Sequence, residues 1–196
     1  MNTEINSAWE SLYEQIKACN KCNLCKSRTQ TVIGCGPREN FKFVIIGEAP
    51  GEDEDKQGIP FVGKSGQLLN KILEHANIDR DTIYIMNVVK CRPEGNRTPS
   101  IQEILSCSDF REAQLLLLQP SIIVTMGNPA TQSILGVNKG ITSIRGSWVE
   151  WRGVQVMPTF HPSYLLRQNP EEYQRLANVV YRDFLAVKAR FESMNK

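Results

Sequence analysis

The chain has 196 residues, a mass of 22.2 kDa and a net charge of only +2. That length suits one domain, and 41% hydrophobic with 22% charged residues excludes a mostly disordered or collagen-like chain. No apolar run approaches the roughly 20 residues that span a bilayer, and the opening MNTEINSAWE lacks the apolar stretch of a secretory signal. We therefore expect a single cytoplasmic domain over residues 1–196 with no membrane partner, in which any polyanion binds to a local patch.

The predicted elements alternate between helix and strand. A helical pattern over residues 1–18 comes first, and later helical patterns cover Ser65–Ala76, Pro99–Leu118, Pro129–Leu135 and Pro170–Phe191. Four short apolar runs predict strands at Phe43–Gly47, Ile83–Val89, Ile122–Met126 and Val154–Phe160. This order predicts an α/β fold with a four-stranded, mainly parallel sheet covered on both faces.

In such sheets, function gathers at the carboxyl ends of the strands. The rule brings together four loops that hold most of the unusual residues of the chain: Glu48–Phe61, Lys90–Thr98, Gly127–Asn128 and His161–Arg167.

Four side chains near these strand ends are candidates for chemistry. Glu48 follows an apolar strand directly, while Asp53 and Asp55 are more simply read as solvated. Asn87 lies inside an apolar strand, where its amide needs either a backbone partner or a ligand. His161 ends the fourth strand, a place suited to proton or hydrogen-bond chemistry. Phe61, taken alone, is more simply a core residue.

Basic residues fall near the same face without forming a run. They suit a rim that follows phosphates, although each could equally be solvated surface; they are Lys64, Lys90, Arg92, Arg97, Arg145 and Arg167.

In a reducing compartment, the six cysteines indicate metal binding or redox chemistry in preference to disulfides. Cys19 and Cys22 have a CxxC spacing, and Cys91 and Cys107 could complete a four-thiolate site after folding. The spacing leaves an iron–sulfur cluster, zinc and no metal all open, and the wide separation of the second pair favours a cluster. Cys25 could replace either member of the first pair, and Cys35 is interpreted as a buried, inert thiol.

Four motifs stand in register with these cysteines: GEAPGEDED at 47–55, PFVGKSGQLL at 60–69, NVVKCRP at 87–93 and HPSYLLR at 161–167. Together they resemble the family-4 uracil-DNA glycosylases, the iron–sulfur branch of that superfamily, over nearly the whole chain from Cys19 onward. The resemblance implies a three-layer α/β/α sandwich. It also implies a DNA-repair enzyme that hydrolyses the N-glycosidic bond of uracil in DNA, releases free uracil and leaves an abasic site.

The resemblance also implies residue roles. A 4Fe–4S cluster would be held by Cys19, Cys22, Cys91 and Cys107. Uracil would contact Glu48, Ala49, Pro50, Phe61, Asn87 and His161, of which Glu48 and His161 are the catalytic candidates. Glu54 would exclude the C5 methyl of thymine. DNA would meet Lys64, Arg97, Leu165 and Arg167. The apolar Tyr164, Leu165 and Leu166 could fill the stack that a flipped base vacates, or any one of them could instead pack on the core.

These residue types agree with the implied chemistry. Uracil offers an N3–H donor and an O4 acceptor that a carboxamide can meet, whereas cytosine reverses both groups. A hydrogen bond from His161 to the uracil O2 would stabilise the departing anion, and Glu48 could orient water or stabilise the cationic sugar. Better-known uracil glycosylases have an aspartate where this chain has Ala49, so no general base is assigned.

Two other functions compete with uracil excision. One is an iron–sulfur electron carrier or redox sensor, which would leave Phe61, Asn87 and His161 unexplained. The other is a DNA- or nucleotide-binding module without catalysis. The expected partner is uracil-containing DNA, single or double stranded, and the expected state is a monomer.

Overall fold

A five-stranded sheet forms the centre of the molecule. The computed structural model describes residues 3–195, so Met1 and Asn2 of the first predicted helix, and Lys196, lie outside it. The strands lie in the order β2-β1-β3-β5-β4, and all pairs are parallel except β4 with β5. Their bounds are β1 Val44–Gly47, β2 Tyr84–Asn87, β3 Ile122–Met126, β4 Val149–Trp151 and β5 Val154–Thr159.

Helices cover both faces of this sheet. Short 3₁₀ turns occupy Asn23–Lys26, Arg80–Thr82 and Glu94–Asn96. The α-helices are α1 Thr3–Lys17, α2 Glu52–Gln57, α3 Lys64–His75, α4 Ile101–Ser106, α5 Ser108–Leu118, α6 Asn128–Leu135, α7 Ile141–Ile144, α8 Pro162–Leu165 and α9 Pro170–Met194. Among residues 3–195, none of these is long and apolar enough to cross a membrane.

Alternation along the strands produces the three layers. In β1, Ile45 packs into one core with α3, α8 and α9, while Val44 and Ile46 face a second core with α1, α5 and α6. The α/β/α sandwich is therefore confirmed. Helix α1 docks through Trp9, which is fully buried, and leads the chain to Cys19.

The predicted strand number was wrong by one. The extra strand, β4, has only three residues and lies at the antiparallel edge, half exposed, where no continuous apolar run marks it. It turns back into β5 through Arg152 and Gly153, both at positive φ as in two-residue hairpins.

The predicted helix Pro99–Leu118 is two helices. Cys107 stands between α4 and α5, where it caps the first and precedes the second. The break turns the Cys107 thiol towards the N-terminal cysteines, with which it lines one cavity.

Candidate active site

A cavity of about 530 Å³ opens at the carboxyl edge of the sheet. Three of the four predicted loops line it, while Gly127 and Asn128 do not. All six residues expected to contact uracil line this cavity: Glu48, Ala49, Pro50, Phe61, Asn87 and His161.

Asn87 contributes a buried acceptor that no protein group satisfies. It ends β2, its side chain is 2% exposed, and its Oδ1 has no hydrogen-bond partner among the described residues. A buried carbonyl oxygen left in this state costs about 1–3 kcal/mol. Of the two partners expected for Asn87, backbone or ligand, the geometry favours a ligand that brings an N–H donor into the cavity.

Phe61 lies beside this carboxamide in an unfavourable backbone conformation. Its φ is 55°, a left-handed value that is strained for an aromatic residue. A Cβ at Gly47 would overlap both the Phe61 ring and the Asn87 Oδ1, and a Cβ at Gly66 would overlap the Phe61 carbonyl. The absence of a side chain at these two glycines thus lets the Phe61 ring lie along the wall of the cavity, where a planar base could stack on it.

Replacing Gly66 by alanine is expected to displace Phe61 and, for the uracil-containing DNA that the resemblance implies, to raise KM more than it lowers kcat. The added methyl would also cost about 1–3 kcal/mol of stability through overpacking. Steady-state kinetics and thermal unfolding measure the two effects. Gly140→Ala is the matched control, since the nearest atom to its Cβ is the Thr142 Oγ1 at 3.7 Å. Equal KM values for the two variants would contradict this role.

His161 is held in one tautomer by the start of α8. Its Nδ1 accepts a hydrogen bond from the Ser163 backbone N–H at 3.1 Å and lies 2.8 Å from the Ser163 Oγ. Desolvation by burial, and then the charge of Arg167, lower the pKa of the imidazole to about 4. The ring is therefore neutral at physiological pH, and its proton resides on Nε2, which makes Nε2–H a donor.

His161 is expected to stay neutral from pH 8 to pH 5 and to protonate only near pH 4. The neutral ring makes its full contribution to the free energy of unfolding at pH values above about 6.5, the pKa of histidine in the unfolded chain. This contribution is lost as the pH falls towards 4, the pKa in the folded protein. NMR of the two imidazoles, assigned with a His75→Gln variant, measures this titration. A midpoint for His161 near 6.5 would contradict the lowered pKa and a neutral ring down to pH 5.

Glu48 follows β1 at the rim of the same cavity. Burial raises the pKa of its carboxyl group, while a side-chain hydrogen bond with Thr98 and the charge of Arg167 lower it. Glu48 and Thr98 both line the cavity, so this carboxylate can act on a bound sugar or water.

Glu54 also lines the cavity, but its carboxylate is engaged by the backbone. It accepts hydrogen bonds from the N–H groups of Gly51, Val62 and Gly63 at 3.0, 2.9 and 2.8 Å. These bonds tie the start of α2 to the chain that follows Phe61. The predicted exclusion of thymine by Glu54 stays a prediction.

The expectation of a solvated Asp55 was wrong, since its buried carboxylate accepts hydrogen bonds from the Thr29 backbone N–H.

The basic rim is smaller than expected. Lys64 and Arg167 are exposed and line the cavity, whereas Arg97 lines it with its guanidinium bound in bidentate fashion to Glu103. Lys90 is buried and Arg145 is paired with Asp183, so neither belongs to a phosphate-binding rim.

The expectation that Leu165 contacts DNA was wrong. Its side chain is 0% exposed and lies in the core beneath α8, because one turn of helix directs it inward. Its neighbours Tyr164 and Leu166 are exposed instead.

Five cysteines line a second, smaller cavity beside α1 and the break between α4 and α5. They are Cys19, Cys22, Cys25, Cys91 and Cys107. Arg28 donates to the Cys91 Sγ at 3.1 Å. Cys35 lies apart, paired with β2 at Ile85, and burial raises the pKa of its thiol.

Comparisons with known proteins agree with this geometry. The sequence model of the Uracil DNA glycosylase superfamily matches residues 33–185. The type-4 uracil-DNA glycosylase of Thermotoga maritima is 44% identical over 85% of this chain and 88% of its own length. Those of Sulfurisphaera tokodaii and Archaeoglobus fulgidus are 40% and 38% identical, over 91% and 84% of this chain and 83% and 87% of their own lengths. This chain belongs to the type-4 uracil-DNA glycosylase family.

The cysteine cavity of this type-4 family member fits a negatively charged centre. Lys90 and Arg111 are both buried beside it; two Arg111 nitrogens, Nε and Nη1, have no partner among the described residues, and Nη2 pairs with Glu112 at 3.6 Å. Buried cations require nearby negative charge. Within residues 3–195, no three acidic, histidine or cysteine side chains converge as ligands of one metal ion. A 4Fe–4S cluster needs no such convergence, because four thiolates bind four different irons.

Several residues of the type-4 site were not among those predicted. Ser163 fixes the His161 tautomer, Thr98 contacts Glu48, and Gly47 and Gly66 make room for Phe61. The sequence offered one usable signal for Ser163, since His-Pro-Ser places a cap, a first-turn proline and a backbone donor at a helix start.

Proposed function

We propose that this chain excises uracil from DNA, hydrolysing the N-glycosidic bond to release free uracil and leave an abasic site. One observation carries the proposal: the Asn87 Oδ1 is buried and lacks a partner among the described residues, and Asn87 lines the cavity together with Phe61 and His161. The uracil N3–H would donate to this oxygen, and the uracil O4 would accept from the Asn87 NH₂ group. The base would stack on Phe61.

The same carboxamide would reject cytosine. Cytosine places an acceptor where uracil has N3–H and a donor where uracil has O4, so both hydrogen bonds would become mismatches. Unpaired buried groups of this kind discriminate strongly. Thymine has the same hydrogen-bonding edge as uracil, so it must be excluded by shape, and Glu54 at the cavity wall is the proposed barrier.

Catalysis would rest on stabilising charge as the bond breaks. The leaving uracil becomes an anion, and the neutral His161 Nε2–H would donate to its O2 as that charge develops. Glu48 would orient water or stabilise the oxocarbenium-like sugar from the opposite side of the bond. No general base is assigned.

A base inside duplex DNA must be flipped out before it can enter the cavity. Lys64 and Arg167 would hold the flanking phosphates, with Arg97 contributing at the rim. Of the three apolar residues expected to fill the vacated stack, Tyr164 and Leu166 are exposed and could do so, whereas Leu165 is buried. The protein would act as a monomer on single- or double-stranded DNA.

We further propose that Cys19, Cys22, Cys91 and Cys107 hold a 4Fe–4S cluster. The shared cavity and the buried cations beside it support this donor set. The cluster would supply a dense, buried negative centre that ties the N-terminal segment to the core, and the hydrolysis itself transfers no electrons. Reduced thiols and a DNA substrate both suit the cytoplasm.

A strand-cleavage assay tests the function. Purified protein is incubated with a labelled oligonucleotide bearing one uracil opposite guanine, and alkali then breaks any abasic site. We expect uracil-dependent cleavage and no cleavage of the matched thymine strand. Intact uracil strand with excess protein that retains its iron would contradict the proposal and favour a binding or redox function.

A further inference from the structure

Lys90 joins the two cavities of the molecule. Its side chain is 1% exposed, and its Nζ donates to the backbone carbonyl of Asn87 at 2.9 Å. That carbonyl belongs to the residue whose side chain would read the base. The ammonium therefore holds the main chain from which the Asn87 carboxamide projects.

Lys90 also contacts the cysteine centre, by which we mean the cysteine cavity with the cluster proposed to bind there. Lys90 lines the cysteine cavity, and Cys91 follows it in the chain. The Lys90 backbone N–H also forms a hydrogen bond with Cys107, so this residue contacts a second proposed ligand of the cluster. No carboxylate within residues 3–195 forms a salt bridge with Lys90, so its nearest negative charge would be that of the thiolates holding the proposed cluster.

We propose that Lys90 is a positioning residue that couples the cysteine centre to base recognition. The thiolates retain the ammonium in the interior, and the ammonium fixes Asn87 at the end of β2. This inference rests on the proposed uracil excision and adds a physical link between cluster and pocket. It predicts that disturbing Lys90 damages recognition of the base while leaving contacts to the DNA backbone intact.

A double-mutant cycle tests the link by binding. The probe is an oligonucleotide with 2′-fluoro-deoxyuridine, which resists cleavage because fluorine destabilises the oxocarbenium-like sugar, compared with the same strand bearing a tetrahydrofuran abasic analogue. We expect Lys90→Met to lose about tenfold in preference for uracil over the abasic strand, with abasic affinity unchanged. In an Asn87→Ala background, Lys90→Met should add no further loss.

Lys21→Met is the matched control. Lys21 also lines the cysteine cavity, but its Nζ pairs with Asp109 at 3.0 Å and has no bond to Asn87. We expect this variant to keep the preference for uracil. An equal loss of affinity for both strands, or additive losses with Asn87→Ala, would overturn the inference. A wild-type protein without any preference for uracil would instead overturn the proposed function.

A second measurement needs no variant and remains informative if Lys90→Met does not fold. Uracil bound at Asn87 is expected to hold Lys90 in place and so to slow the local opening that precedes loss of iron. Free uracil at saturation should slow the release of iron from the wild-type holoprotein to a chelator, and thymine should not. Equal release rates with and without bound uracil would overturn the inference.

Discussion

Replacing Asn87 by alanine is expected to lower kcat/KM for uracil excision at least about 100-fold, the scale seen when one positioned hydrogen-bonding group is removed from a site. The carboxamide is buried in the cavity with a free acceptor, so the variant would lose both bonds to the base. Single-turnover cleavage of the uracil oligonucleotide measures the effect. Binding to abasic DNA should change little, because the abasic site presents no base.

Gln132→Ala is the control for this substitution. Gln132 is an exposed carboxamide on α6, away from the cavity, and its removal should leave the rate unchanged. If Asn87→Ala retained wild-type kcat/KM, the unpaired Oδ1 would have no part in reading the base.

Replacing Cys91 by serine is expected to abolish retention of iron and acid-labile sulfide. A lost centre would leave Lys90 as a buried charge that forms no salt bridge within residues 3–195, and would leave Arg111 with only its ion pair to Glu112. A destabilisation of about 4 kcal/mol would lower the unfolding midpoint by roughly 10 °C in a domain of this size. Iron analysis and thermal unfolding of protein purified without oxygen measure both effects.

Two other cysteines provide matched controls. Cys35→Ser alters a thiol outside the cysteine cavity, and Cys25→Ser alters one that lines it without belonging to the proposed ligands. Both variants should retain iron. Loss of iron in Cys25→Ser, with retention in any one of the four ligand variants, would show that the ligand set is wrong.

The sequence predicted the features that depend on continuous local patterns. Four buried strands are apolar runs, and their carboxyl ends must meet in a parallel sheet. The loops carrying Glu48 and His161 could therefore be placed near the strand carrying Asn87 before the structure was known. Their roles, however, came from a family resemblance and not from periodicity.

Features that depend on the direction of individual side chains could not be predicted. Leu165 and Leu166 are equally apolar, and only the helical turn of α8 buries one and exposes the other. The sequence alone suggests that Lys90 is a surface lysine, because only the fold brings it to the cavity that the distant Cys107 also lines. The edge strand β4 carries no alternation long enough to recognise.

The most direct test of the central claim is a crystal structure of the protein with free uracil. The account predicts that the uracil N3 lies within hydrogen-bond distance of the Asn87 Oδ1, its O2 within reach of the His161 Nε2, and its ring on Phe61. Uracil bound in this cavity with N3 directed away from Asn87, or bound elsewhere while the cavity holds none, would contradict it.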